Sequence, residues 1–584
     1  MVRRLVLAVI LGSPLPLGAA TKPAADLFRG TASLDLGAVP QGSVRGLAVT
    51  ASSVYALVGR AAQGADVILA FNRATGKREA VWRIGAHGAA AMCGDKNGLW
   101  VLSESPERFL RRFSLAGKEL AIRSTKTRVP GRLVGLAATG DTFYFFVSAR
   151  GKSTLFSHQP LFFKTQKLWS VEGEVGSLAV HGKRLYAFQK GFDTYASYWL
   201  HALDLDGRKH RRLRFLNHTA VALAAHAGHL YAMVRRRDGL RAIPFVVLED
   251  RNVIAGDPVR RRVSMTFPVK GLNDHPYTLE MWIACPVDRF YQSAEHLAIA
   301  PKPRGMITDK FGNRWAHLRW NTVRGDRQAT LSFDLLSTAV AYTLDTAYVL
   351  KPADVPEPIR RTYMAETACF DYSHPKVKAA AAAVPARREL VAHLLAVRDY
   401  VNDALQVRGP SGPHSRASAY LGAGEGRCYG HTLAFAALAR ARGLPTRAVG
   451  GISVERASGP GPAAHTWNQV YVPGTGWVDV DAQLDDRPAG PHSGGPHSGG
   501  PHTGGPQTGS RHGYRYVGFR PNKYFITFAG NYDRVDFKTT FALRTWHRQA
   551  RWFCDRRRLA DVRLGPAAVS VRPLADSSRK DSRP

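Results

Sequence analysis

The chain has 584 residues, 45% apolar and 10% aromatic, enough to build several cores and too apolar for a disordered protein. Its 81 basic residues against 45 acidic ones give a formal charge of +36. The arginines are spread along the whole length with no aromatic-interleaved binding motif or helix-turn-helix stretch, so nucleic acid is not the expected partner. Anionic envelope polymers, lipid surfaces or acidic substrates suit such a surface, alongside a plain compositional bias.

Met1-Val2-Arg3-Arg4, the apolar run Leu5-Val6-Leu7-Ala8-Val9-Ile10-Leu11 and the small residues Leu17-Gly18-Ala19-Ala20 have the order of a secretory signal, with cleavage expected after Ala20. That run is too short to span a bilayer, and no other segment approaches the roughly 20 apolar residues a span needs. An exported protein, periplasmic or secreted and without a transmembrane segment, is the expectation. In an oxidising compartment the five cysteines, Cys93, Cys285, Cys369, Cys428 and Cys554, leave one odd thiol if two disulfides form. Cys428 is the natural one to stay free, and the pairing of the others is open.

Between residues 31 and 253 the sequence repeats. Five pairs of short apolar runs carry aromatic anchors at Tyr55, Trp100, Tyr144, Tyr186 and Tyr231, at intervals of 45, 44, 42 and 45. A period of this length made of short strands predicts a β-propeller of about five blades. From 260 to 350, alternating runs such as Val263-Ser264-Met265-Thr266-Phe267 and Leu279-Glu280-Met281-Trp282-Ile283 predict a β-sandwich. Its charged residues, Asp288 and Asp309 among them, read as turn and surface groups.

The third part, 355–550, is predicted to be α+β. Leu390, Leu394, Val397, Val401 and Leu405 recur at helical steps and predict an amphipathic helix from 388 to 407. Gly426-Arg427-Cys428 runs into an Ala-rich stretch closed by Gly443 and Pro445, so Cys428 should open a helix that ends at a glycine cap. Unpaired N–H groups and the helix dipole at that place favour thiolate over thiol. His465-Thr466-Trp467 starts an alternating run that Pro473-Gly474-Thr475-Gly476 turns into Trp477-Val478-Asp479-Val480-Asp481. This predicts a hairpin with the imidazole on one strand and, on its neighbour, the carboxylate that orients it.

Cys428, His465 and Asp481 are thus the candidate catalytic residues, in the order nucleophile, base and orienting acid. Cys428 and His431 also read as C-x-x-H, but a structural zinc site needs four ligands and usually cysteine pairs. No metal and no cofactor is expected. The insertion at 487–513, with His492, His497 and His502 among Gly and Pro, reads as a flexible spacer. A basic C-terminal tail is expected over 551–584.

Gly426-x-Cys428, the helix ending Gly443-Leu444-Pro445-Thr446-Arg447, Gly450-Gly451, His465-x-Trp467 and Gly476-Trp477-x-x-x-Asp481 resemble the transglutaminase-like superfamily, whose members share a papain-like core. His465 follows Cys428 by 37 positions and Asp481 follows by a further 16, as the resemblance requires. The run from Asn522 to Asp533 resembles the closing strand and loop of that core, and the predicted sandwich resembles the one that precedes it in many bacterial members. Asn468-Gln469 and Ala482-Gln483 depart from the pattern, which has an apolar-Glu pair and Pro-Thr there.

The resemblance implies a cysteine enzyme that transfers acyl groups from peptide or carboxamide substrates. With water as second nucleophile it is a peptidase or amidase; with an amine it is a cross-linking transglutaminase. Water needs no second binding site, which favours hydrolysis. The alternative is a noncatalytic envelope-binding protein with a degenerate core. Tyr420 and Tyr429 are candidates for the second oxyanion donor beside the Cys428 N–H.

Overall fold

The computed structural model describes residues 23–574, apart from short loops and the longer stretches 60–65, 190–198, 455–463, 484–516, 531–541 and 555–562. The proposed leader, the insertion at 487–513 and residues 575–584 lie outside the described residues or almost entirely so.

The first half consists of small antiparallel sheets. Four of them have four strands in sequence order, the first running from Ser43–Val49 through Ser53–Gly59 and Val67–Asn72 to Arg78–Arg83. A fifth sheet is formed by Ala220–His226, His229–Arg235 and Leu240–Leu248, and takes its further strand from the N-terminal segment Leu34–Gly37. Every leading hairpin slips register at the same place: Val44/Gly46, Ala89/Ala91, Val134/Leu136, Val175/Ser177 and Ala220/Ala222. A bulge recurring at one structural position is a designed twist, and it marks the five sheets as repeats of one unit.

The leading strands contact one another in turn, and Ala220–His226 contacts Ser43–Val49. The aromatic anchors reach across these joints. Tyr55 donates to the Leu115 carbonyl of the second sheet, Trp100 packs edge-on against Phe143 of the third, and Arg73 of the first donates to the Tyr231 hydroxyl of the fifth at 2.8 Å. At least three of the five anchors thus touch the neighbouring sheet, each by a different contact.

No linker separates the fifth sheet from the next unit of the chain. The 18-residue strand Val253–Lys270 pairs with Leu240–Leu248 at its start and with Arg327–Tyr342 along its length. A second sheet, built on Tyr277–Cys285 and Arg314–Val323, shares one apolar core with it. Val263, Met265 and Phe267 meet Leu279, Met281 and Ile283 there. The expected C-terminal tail needs correction. Ala542–Trp546 and Ala550–Cys554 extend the second sheet beside Tyr277–Cys285, and Ala568–Pro573 pairs with Val253–Lys270. Val571 of that last strand packs against the shared core.

The α+β part places the helices Pro375–Ala383, Leu390–Ala404, Ala417–Ala423 and Cys428–Ala441 against one antiparallel sheet. Its strand order is Gly476–Val480, Ala464–Val472, Thr446–Ser453, Tyr524–Gly530. All five apolar positions expected on the second helix are buried, each worth roughly 1.5 to 3 kcal/mol against exposure. The Cys428 helix is buried on nearly every side from Gly430 to Arg440, so its position is set by contacts all around.

Candidate active site

The Cys428 helix begins and ends as its sequence dictates. Arg427 is the extended N-cap residue and Cys428 the first helical one. At the other end Gly443 adopts φ +80°, its N–H bonds the Arg440 carbonyl and the Leu444 N–H bonds the Ala439 carbonyl. That is a Schellman closure, for which glycine carries no steric penalty. Near the start, Gly426 and Gly430 leave room for the fully buried Tyr420 ring; a Cβ on Gly430 would sit 2.7 Å from it. Two small residues therefore let a tyrosine buttress the first turn.

The hairpin forms as expected, with Asn468 opposite Val480 and Val472 opposite Gly476. His465 lies at its far end on Ala464–Val472, and Asp481 directly follows Gly476–Val480. The ring Nε2 meets Asp481 Oδ2 at 2.5 Å, and both residues are buried. With Nε2 committed to the carboxylate, Nδ1 is the nitrogen left to interact with Cys428. Burial alone would lower the imidazole pKa, but the charge and hydrogen bond of Asp481, followed by those of Cys428, outweigh it and hold it at about 9. The three sequence-predicted residues are thus brought together, with the thiol 7% exposed. Asp481 Oδ1 accepts the Gln483 N–H, and the Trp467 ring lies nearly parallel to His465 at 5.7 Å between centroids. These contacts hold the imidazole at its Nε2 edge and on one face.

The departures from the family pattern have physical roles here. The Asn468 amide donates to the Thr432 carbonyl, while the Thr432 hydroxyl bonds the Cys428 carbonyl and Thr466. Helix and hairpin are therefore stitched together one turn from the thiol. Gln469 Oε1 accepts both Nε and Nη2 of Arg447, and its amide donates to Asp479. Burial pushes the Asp479 carboxyl up, against Arg520, Trp467, Gln469 and Arg447. A neutral amide at 469 serves both neighbours without setting a second carboxylate against a buried one.

Three features escaped the sequence reading. His431, the second residue of the C-x-x-H spacing, is buried; its Nδ1 donates to the Arg427 carbonyl, and burial lowers its pKa. Tyr420 is unsuited as an oxyanion donor, because its hydroxyl lies within the core and accepts the His414 N–H. Tyr429 is half-buried and edge-on to Tyr420. The sandwich motif groups also do more than close turns. Gln292 donates to the Ile526 carbonyl and accepts the Ile526 N–H at 2.8 Å, while Asn313 accepts the Ala529 N–H at 2.8 Å and is itself held by Asp309. Side chains of one part thereby pair with the closing strand Tyr524–Gly530 of the other. A Gln or Asn flanked by turn residues gave no local signal of this.

Cys93, Cys285, Cys369 and Cys428 are all free thiols, so no disulfide forms among them. Burial pushes the Cys93 thiol far up, with Asp95 adding to it, and raises Cys285 to about 11. Neither is suited to react near neutral pH.

Residues 378–482 match the family model of the transglutaminase-like superfamily, and this segment contains all three candidate residues. No curated protein matches the sequence. Among solved structures, a candidate cysteine protease from Cytophaga hutchinsonii is 13% identical, with a TM-score of 0.39 over 56% of this chain and 93% of that one. Myxococcus xanthus glutaminyl cyclase, also 13% identical, has a TM-score of 0.27 over 36% and 91%. The nidogen/laminin complex, 12% identical, has a TM-score of 0.27 over 37% and 76%. At such scores these likenesses carry no functional weight, and the assignment stands on the family match and the motifs within it: residues 378–482 are a transglutaminase-like domain.

Proposed function

We propose that the protein is a thiol-dependent acyl-transfer enzyme acting on peptide or carboxamide substrates, with hydrolysis as its main outcome. The observation that carries this reading is the buried His465–Asp481 pair, with the charge of Asp481 and then of Cys428, the first residue of its helix, favouring the protonated ring. Cys428 thiolate attacks the carbonyl carbon, and a C–S bond forms as the carbonyl electrons move to oxygen. The Cys428 N–H, in the first turn where no i−4 carbonyl competes for it, helps hold that oxyanion. Collapse breaks the C–N bond, and His465 gives its proton to the departing amine, leaving a thioester. His465 then takes a proton from water as it attacks the thioester, the C–S bond breaks, and the acid and the thiolate–imidazolium pair are released. Asp481 holds the ring orientation throughout.

In this proposal the five repeated sheets are blades of a propeller that serves as a binding platform, and the two-sheet unit is a sandwich that carries the catalytic core. Peptide or protein substrates are met outside the cytosol, after export and removal of a leader near Ala20, which N-terminal sequencing of the mature protein would test. For the chemistry, the purified full-length protein is incubated with a glutamine-containing peptide, with and without a labelled primary amine. Mass analysis should find a free acid or cleaved peptide, absent with Cys428→Ser. Amine incorporation in preference to water would make it a transglutaminase. No product of either kind, with an unreactive Cys428, would leave a binding protein with an inactive core.

A further inference from the structure

His431 stands four residues beyond Arg427, the N-cap of the Cys428 helix. Its backbone N–H therefore closes the first turn on the Arg427 carbonyl, and its ring Nδ1–H donates to the same oxygen, each bond being 3.1 Å long. One residue thus supplies two donors to one carbonyl. The ring that gives the second is only 1% exposed, so water does not compete with it there. The backbone bond is common to helix starts; the ring bond is the one that depends on histidine.

That carbonyl belongs to the peptide unit whose other end is the Cys428 N–H. A peptide unit is planar and trans, so its C=O and N–H point in opposite directions and turn together. Two donors on the Arg427 oxygen fix the tilt of the plane, and with it the line along which the Cys428 N–H points. They also polarise the unit, because a hydrogen bond accepted at C=O strengthens the N–H as a donor. Beyond Cys428 the next peptide unit is held in a similar manner. The Thr432 hydroxyl donates to the Cys428 carbonyl at 2.7 Å, and the Asn468 amide donates to the Thr432 carbonyl.

We infer that His431 is a positioning residue for the oxyanion: its ring sets the direction of the Cys428 N–H towards the oxygen of the tetrahedral intermediate. This rests on Cys428 being the acyl-transfer thiol, and it gives a role to the histidine of the C-x-x-H spacing. His431 acts through the Arg427–Cys428 peptide and takes no proton in the reaction.

The test compares two reagents on the full-length protein at one neutral pH. The first, para-nitrophenyl acetate, is attacked at its carbonyl: a C–S bond forms as the carbonyl electrons move to oxygen, and nitrophenolate then departs to leave a thioester. The second, iodoacetamide, is attacked at its methylene carbon, with loss of iodide and no charge developing on the carbonyl oxygen. Both rates scale with the thiolate at 428, so their ratio, read by peptide mass, reports the oxyanion donor. His431→Leu and His431→Phe remove the ring donor and should lower the acylation-to-alkylation ratio about tenfold, with alkylation within about twofold of the parent; losing an oxyanion donor outright costs roughly 10²–10³. His431→Asn places an amide N–H near the Nδ1 position and should restore most of the ratio. A ratio unchanged in a folded variant without the donor, or both rates falling together, overturns the role of His431 and leaves the Cys428 chemistry standing. If neither variant without the donor folds, His431 is a folding residue and the positioning role falls. Failure of the parent Cys428 to react faster than the other thiols with either reagent overturns both readings.

Discussion

Asp481→Asn removes one charge from the candidate site while keeping its shape, and the consequence can be worked from the structure. Burial acts against an imidazolium at position 465, yet Asp481 and then Cys428 hold its pKa at about 9 against an ordinary 6.5. That net displacement corresponds to roughly 3 kcal/mol, and the share of Asp481 is larger because it also offsets burial. With asparagine the desolvation dominates and the ring titrates at or below the ordinary value. Near pH 7.5 the imidazolium population then falls at least about tenfold, and a thiolate at 428 loses its counter-charge. The assay is the rate of iodoacetamide labelling of Cys428 across pH, read by peptide mass. The parent should label readily at mildly acidic and neutral pH, with a break near 9 where His465 loses its proton. The variant should be about tenfold slower or more at neutral pH and rise with pH as an ordinary thiol does. Stability follows the same sign. A folded pKa above the free one means that the pairing contributes fully below about pH 6.5 and is lost as pH rises through about 9, so the melting difference between parent and variant should close over that range. Superimposable pH profiles would refute the reasoning.

Cys428→Ser should abolish acyl transfer while circular dichroism and melting stay close to the parent, since a near-isosteric hydroxyl is a far poorer nucleophile at neutral pH. Gln292→Ala should cost about 3 kcal/mol in denaturant unfolding, because it leaves both polar groups of Ile526 buried and unpaired; a loss below about 0.5 kcal/mol would mean the closing strand needs no clamp. Gly430→Ala drives a methyl into the Tyr420 ring and should lower both stability and Cys428 labelling, by about 1 to 3 kcal/mol for the former, with Tyr420→Leu as a second change restoring part of it. At near-neutral pH Cys93 and Cys285, pushed up by burial, should stay unlabelled by iodoacetamide until the protein is unfolded, as peptide mapping in urea would check.

Much of the site was legible because its information is local. A glycine cap after an Ala-rich run marks the Cys428 helix, and a Pro-Gly-Thr-Gly turn marks the hairpin of His465 and Asp481. A regular spacing of aromatics marks the five hairpins with their shared bulge. Each depends on backbone preference or on periodicity within a few tens of residues, and both are written in sequence order.

What only the tertiary structure decided lies in contacts between distant segments. Val253–Lys270 runs without a break from one sheet system into the next, and residues 542–573 return to complete sheets begun more than 200 positions earlier. Gln292 and Asn313 hold Tyr524–Gly530, a strand paired with Thr446–Ser453, through the backbone of Ile526 and Ala529, and His431 is buried beside the nucleophile. None of these has a period or a turn signature. A polar side chain that satisfies a remote N–H looks the same in the sequence as one that faces water, and only the packed chain shows which buried group it serves.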